Sequence, residues 1–312
     1  MASSISYQTR VRVPATTANL GCGFDILGLA LQLYNFFTLT LTPEPGWHVQ
    51  LPAGVPLPTD SNNLVYRAAR RLFEHVGHIP PGLHLSCVTQ IPLARGLGSS
   101  SSAIVGGLVA ANQLTGNTLD TDALLAMAVD LEGHPDNVTP ALMGSLTLSY
   151  TTHAQHRYLR LPFPQELTLI VAIPAFELPT AQARSVLPAQ VSRADAVFNC
   201  SRTALFIYAL QTRRYDLLAT AMDDRLHQPY RAALVPGMTE AMTAAYAAGA
   251  LGVALSGAGP TLLAIAQGNI ATVATSLQDA FQNNGISCQT RQLLVDTTGA
   301  TVLPAVPMPE AP

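Results

Sequence analysis

The stretch IPLARGLGSSSSAIVGGLVAAN, Ile91 to Asn112, constrains the chain more than any other. Gly96 and Gly98 precede four consecutive serines, and an apolar run follows. Glycine permits positive φ and close backbone approach, and serine caps helix starts. The apolar run is too short to span a bilayer, so it reads as a buried helix entered through a tight turn. Free N–H groups at such a start form an anion-binding concavity, reinforced by the helix dipole. No lysine follows the glycines and no GxGxxG occurs anywhere. Taken alone, the turn is therefore either a phosphate cradle or a plain helix cap.

The rest of the chain alternates between strand and helix periods. Gln8–Val13 reads as a strand ending at Pro14, and Phe37, Leu39 and Leu41 share one strand face. Asn63–Val76 carries a helical stripe with Asp60 or Ser61 as its cap. Leu83, Leu85 and Cys87 return to period two, Thr121–Glu132 is helical and stopped by Gly133, and Leu146, Leu148 and Tyr150 mark a strand. Polar residues 151–166 read as a linker, and Leu167–Ile173 as a strand buried on both faces. Ser192 opens a long helix, Asp216–Asp223 and Met238–Ala248 are further helices, and LGVALSGAGPTLLAI is strand, glycine turn, strand. The tail VPMPEAP is expected to fray. Mixed strands and helices over 312 residues imply an α/β or α+β chain of two domains.

Only 11% of residues are charged, 48% are hydrophobic, and the net charge is −3. That balance supplies a core and disfavours disorder and nucleic-acid binding. Cys22, Cys87, Cys200 and Cys288 form no CxxC pair, so they read as buried thiols. No targeting segment or membrane span is apparent, and a reducing cytoplasm is the expected compartment.

Three further stretches bear on the glycine–serine turn: PATTANLGCGFDILGLAL (Pro14–Leu31), EGHPDNV (Glu132–Val138) and SGAGPT (Ser256–Thr261). With GLGSS they resemble the small-molecule kinases named for galactokinase, homoserine kinase, mevalonate kinase and phosphomevalonate kinase, the GHMP kinases. The resemblance implies an α+β, two-domain fold. Residues 1–162 would resemble the second domain of a ribosomal small-subunit protein, with a βαβ crossover and the ATP site. Residues 163–312 would be ferredoxin-like. TAQAR (Thr180–Arg184), QPYRAALVPG (Gln228–Gly237) and DTTGA (Asp296–Ala300) resemble the branch that phosphorylates L-homoserine with ATP.

In that reading the backbone of Leu93, Ala94, Arg95, Gly96, Leu97, Gly98, Ser99, Ser100 and Ser101 wraps the ATP phosphates, and Asn62 with Asn63 faces the purine. Ser100 and Glu132 are the implied ligands of Mg2+, with Asp130 as the competing acid. Asn137 stands where some relatives place an aspartate base, and an amide takes no proton at neutral pH, so positioning and charge stabilisation are expected to carry the transfer. Homoserine is a zwitterion. Arg184 and Arg231 match the residues expected at its carboxylate, where guanidinium forks bind in bidentate fashion. Asp25 suits its ammonium, and Asn19, His134, Asp136, Thr180 and Gly257 complete the implied substrate contacts. A homodimer is expected from relatives. The alternatives are a kinase of the same family for another small alcohol and a non-catalytic metabolite-binding member.

Overall fold

The structure is a computed structural model describing residues 8–304 except 53 and 55. The proline-rich tail therefore lies outside the described residues.

β1 (Gln8–Ala18) and β2 (Leu27–Thr42) pair antiparallel along nearly their whole length. The expected stop at Pro14 is instead a register shift between Pro14 and Ala15, which lets a proline sit within a strand. β3 (Gly46–Gln50), α1 (Leu64–His75) and β4 (Gly82–Val88) form a βαβ unit whose strands pair parallel. Asn63, and neither Asp60 nor Ser61, caps α1: its Oδ1 accepts from Val65 N at 3.0 Å and Tyr66 N at 3.3 Å. Asp60 turns back instead to accept from Asn62 N.

Three helices follow, α2 (Ser99–Leu114), α3 (Thr121–Glu132) and α4 (Pro135–Met143). α2 is buried against β2 and α1, and Gly106 and Gly107 allow it to come that close. A Cβ on Gly106 would lie 2.2 Å from the Phe37 ring, and one on Gly107 would lie 2.5 Å from the Val65 carbonyl oxygen. α4 contains Pro140 and is not among the helices expected from sequence. The expected strand at Leu146–Tyr150 is β5 (Leu146–Thr152), and most of the expected linker is its hairpin partner β6 (Gln155–Leu161), reached by a turn at His153 and Ala154. Its polarity is that of an edge hairpin with one face in water.

The second sheet contains β7 (Thr168–Pro174), β8 (Gly252–Leu255), β9 (Leu262–Ala266) and β10 (Cys288–Leu293), in the order β10-β7-β9-β8. Between β7 and β8 run α5 (Thr180–Ser185), α6 (Arg193–Thr212), α7 (Leu218–Ala221), α8 (Gln228–Arg231) and α9 (Met238–Ala247). α10 (Ile270–Asn283) links β9 to β10. Taking the helices before β8 as one crossover, this is the β-α-β-β-α-β plan of a ferredoxin-like unit. The chain then returns: β11 (Thr301–Leu303) pairs with β1, so residues 301–303 of the expected C-terminal unit complete the first sheet.

One core lies between α1, α2 and the first sheet, and another under α9 and α10. A third joins the two halves through Leu27, Leu29, Phe206, Leu218 and Leu263. All four cysteines are free. Burial pushes Cys22 and Cys87 up to about 12 and Cys288 up to about 11, so these thiols pack rather than react. Cys200 is exposed, contrary to expectation. No helix among the described residues is long and apolar enough to cross a membrane.

Candidate active site

A cavity of about 540 Å³ opens between the two halves. It is lined by the end of the β1–β2 turn, the loop before α2, the start of α4, and α5 with α8 and the β8–β9 turn.

The loop before α2 is held by interlocking backbone. Thr16 N donates to Leu97 O at 3.1 Å, Leu178 N to Ala94 O at 2.9 Å, and Ser256 Oγ to Gly96 O at 2.6 Å. Gly98, at φ +70°, is the N-cap of α2. A Cβ there would sit 2.0 Å from Thr16 Oγ1, so it is a protein neighbour that excludes a side chain at this position. Ser99 and Ser100 open α2 and line the cavity. Leu97 and Ser101 do not: the leucine is packed in the core, and the Ser101 hydroxyl is fully buried against Glu132.

Glu132 ends α3, an unfavourable place for an acid with respect to that helix's own dipole. Its carboxylate is directed at the first turn of α2, where the dipole has the opposite sign. Oε1 accepts from Ser100 Oγ at 2.7 Å and Ser101 Oγ at 2.8 Å. Asp130 is exposed and does not line the cavity. No cluster of three or more His, Cys, Asp or Glu side chains suited to a metal occurs among the described residues. The oxygen set here is a hydroxyl plus one carboxylate.

α4 and its cap supply His134, Asp136 and Asn137. His134 Nδ1 lies 2.5 Å from Asp136 Oδ1. Burial opposes a charge on the imidazole, but the hydrogen bond to Asp136 and the charges of Asp136 and Glu132 outweigh it, and the pKa stands raised. Asn137 Oδ1 accepts from Thr16 Oγ1 at 2.8 Å, so the amide is anchored to β1. Asn62 and Asn63 both line the cavity, and the Asn63 amide also caps α1 through Oδ1 and donates to Pro58 O through Nδ2.

The opposite end is built from charges. Asp25, at φ +61°, takes a two-point bond from Arg184, with Nη2–Oδ1 2.7 Å and Nη1–Oδ2 3.2 Å. These residues, expected to hold opposite ends of a zwitterion, are bonded to each other in the structure because their charges lie within reach. Arg231 is only 2% exposed. Its Nε donates to Ala183 O at 3.1 Å and its Nη1 to Gly257 O at 2.9 Å. Burial, and next the Arg184 charge, pulls Arg231 down to about 10, still cationic at neutral pH. The Phe24 ring lies beneath both guanidinium groups, 5.7 Å from Arg184 Cζ and 5.5 Å from Arg231 Cζ. Asn19 is engaged in holding the turn: Nδ2 donates to Gly257 O and Oδ1 accepts from Asp25 N, both at 3.0 Å. Thr180 opens α5 at the rim.

Four polar residues with clear structural tasks are not among those the sequence points to: Thr16, Asn35, Asp224 and His227. Asn35 donates to Ser102 Oγ and accepts from Gln90 N and Ile91 N, tying β2 to the entry of the loop. A lone amide amid the apolar and aromatic residues LYNFF is its one signal. Asp224, His227 and Arg231 are spaced three and four apart, but the helix begins only at Gln228, with His227 as its cap and Asp224 in the loop before it, so the spacing is no signal of their shared task.

The profile of the GHMP kinases N terminal domain matches residues 63–145, and that of the GHMP kinases C terminal domain matches residues 206–283. A homoserine kinase of Nostoc punctiforme is 47% identical over 293 residues, 93% of this chain and 96% of that protein. One from Microchaete diplosiphon is 46% identical over 303 residues, 96% of this chain and 99% of that protein. The crystal structure of homoserine kinase from Cytophaga hutchinsonii superposes with a TM-score of 0.88 at 30% identity, covering 97% of this chain and 99% of the other.

Proposed function

The chain belongs to the GHMP kinases, in the branch of the homoserine kinases, and from that premise we infer that it transfers the γ-phosphoryl group of ATP to the side-chain hydroxyl of L-homoserine. The products are O-phospho-L-homoserine and ADP, on the route to threonine. The observation that carries the reading is one cavity with two unlike ends: a backbone-and-hydroxyl turn at a helix N-terminus, and an Asp25–Arg184–Arg231 cluster suited to a zwitterion.

In this reading the cavity-lining part of the turn, Leu93–Gly96 and Gly98–Ser100, takes the phosphates through backbone N–H groups and the α2 dipole. Ser100 and Glu132 fit a magnesium ion, since both offer hard oxygen donors and lie 2.7 Å apart. When bound, the ion supplies neutralisation of charge between the phosphates. Arg231 takes the substrate carboxylate with its Nη2, which has no protein partner among the described residues. Asp25 faces the ammonium. Asn137 accepts no proton: its Oδ1 already receives the Thr16 hydroxyl, and it orients the acceptor alcohol through its N–H groups. A loose transition state needs little early deprotonation of the nucleophile, so positioning and charge suffice. The proposal includes Mg2+ as the metal, a homodimer in solution and the cytoplasm as the compartment; four unpaired thiols support a reducing location.

The test is coupled ADP release with homoserine, mevalonate, galactose and shikimate. ADP is expected with homoserine alone. Turnover of another alcohol without turnover of homoserine overturns the assignment.

A further inference from the structure

Arg231 is one of the largest fully buried side chains, and its guanidinium has to be aimed as well as charged. Two backbone carbonyls take Nε and one N–H of Nη1. The remaining contact of Nη1 is His227 Nδ1, at 3.3 Å. His227 is 0% exposed and sits one helical turn before Arg231, on the same short helical segment, with Arg231 N donating to His227 O. Its other nitrogen, Nε2, lies 2.8 Å from Gly21 O. A carbonyl only accepts and a guanidinium only donates, so Nε2 carries the proton and Nδ1 is bare. The geometry therefore fixes a neutral imidazole in one tautomer. Burial, the largest influence, holds the pKa down in agreement.

The imidazole is itself held on every side. Its ring stacks on Phe24 at 5.1 Å and 21°, and Phe24 is the ring beneath both arginines. Its backbone N–H, with that of Gln228, donates to Asp224 Oδ2, while Asp224 Oδ1 takes Leu226 N and Asn199 Nδ2. Asp224 thus anchors the start of the segment, and His227 passes that placement to the guanidinium and, through Gly21, to the β1–β2 turn that carries Asp25.

We propose that His227 is a positioning residue for recognition of the substrate carboxylate: its bare Nδ1 takes one N–H of Arg231 and leaves the free Nη2 edge facing the cavity. The inference rests on the reading that Arg231 binds that carboxylate. His227 touches no reacting atom, so its effect belongs to homoserine affinity and not to the transfer step or to ATP.

Two variants separate the two faces of the ring. His227→Asn keeps an acceptor where Nδ1 stands and loses the bond to Gly21. His227→Gln reaches Gly21 and loses the acceptor at the Nδ1 position. Expected is a homoserine KM within about threefold of wild type for Asn and raised roughly tenfold for Gln, with kcat and the KM for ATP nearly unchanged in both. In an Arg231→Lys background the Asn–Gln difference should vanish, because the recipient of the bond has gone. Equal KM values for the two variants, a larger defect in Asn, or a difference that survives Arg231→Lys overturns the proposal. A KM for ATP that rises in Arg231→Lys while homoserine is unaffected overturns the underlying reading instead, and wild-type turnover of homoserine keeps the two failures apart.

Discussion

Beside the first turn of α2 the cavity wall is made of backbone and hydroxyls; beside Arg184 and Arg231 it is made of ionised side chains. The first wall is shaped by residues that cannot be larger: Gly98 abuts Thr16, and the loop of Gly96 is pinned by Ser256. The second is shaped by bonds between side chains and carbonyls distant in sequence, such as Arg184 with Asp25 and Arg231 with Gly257. Substitution at the first wall therefore changes shape and reaches the fold. Substitution at the second leaves shape and alters the match to one ligand.

Gly98→Val should have the largest effect. The added carbons meet Thr16, and the backbone stays at φ +70°, where a side chain costs about 1–2 kcal/mol before overpacking is counted. Nucleotide affinity should fall at least roughly a hundredfold and the unfolding midpoint should drop with it, both readable by calorimetry. A folded variant with unchanged nucleotide affinity would erase the distinction between the walls. Arg231→Lys should act on one substrate only. The charge remains and the planar fork is lost, so homoserine KM should rise on the order of tenfold while the KM for ATP holds steady, and the melting temperature should fall modestly because the Ala183 and Gly257 carbonyls lose a donor. Glu132→Gln tests whether a charge matters within the hydroxyl wall: turnover should fall by roughly tenfold, and Asp130→Asn should be silent because that side chain is outside the cavity.

The smallest effect is in the pH dependence of stability. His134 has a raised pKa, so its contribution is complete below the ordinary 6.5 and is lost as pH rises through the raised value. His227 has a lowered pKa, so its neutral form supports the fold above 6.5, and that support is lost as pH falls from 6.5 toward the lowered value. Urea unfolding at a series of pH values should show His134→Gln flattening the alkaline side only. Flattening of the acid side instead would mean the wrong histidine carries the slope.

The same contrast separates what is legible in the sequence from what is not. Gly96–Ser102 and the apolar run of α2 lie within one short stretch, so a turn feeding a buried helix is legible. Arg184, Arg231 and Asp25 are reached through motif resemblance, not through local pattern. Their partners lie far along the chain: Asp25 is 159 residues from Arg184, and Gly21 is 206 residues from His227. No periodicity signals such a pairing, so the tasks of His227 and Thr16 emerge only in three dimensions. α4 is hidden for a local reason, since Pro135 and Pro140 read as loop residues although the first stands at the helix start, where its missing N–H breaks no helical bond. The turn and second strand of the 146–161 hairpin read as a linker because one of its faces is wet.

The closure of the first sheet by β11 sets an order of events during synthesis. Arg12 on β1 pairs opposite Thr301, so this edge of the sheet stays open until almost all of the described chain has left the ribosome. At about 5–20 residues per second that wait is on the order of tens of seconds. An unpaired strand is a template for strands of neighbouring nascent chains. β1 carries Arg10 and Arg12, whose guanidinium groups lie 5.1 Å and 4.6 Å from the rings of Phe36 and Tyr34 on the adjoining strand. Two like charges on the edge strand disfavour its pairing with the same strand of a second chain, whereas the strand that completes the sheet, Thr301–Leu303, carries no charge.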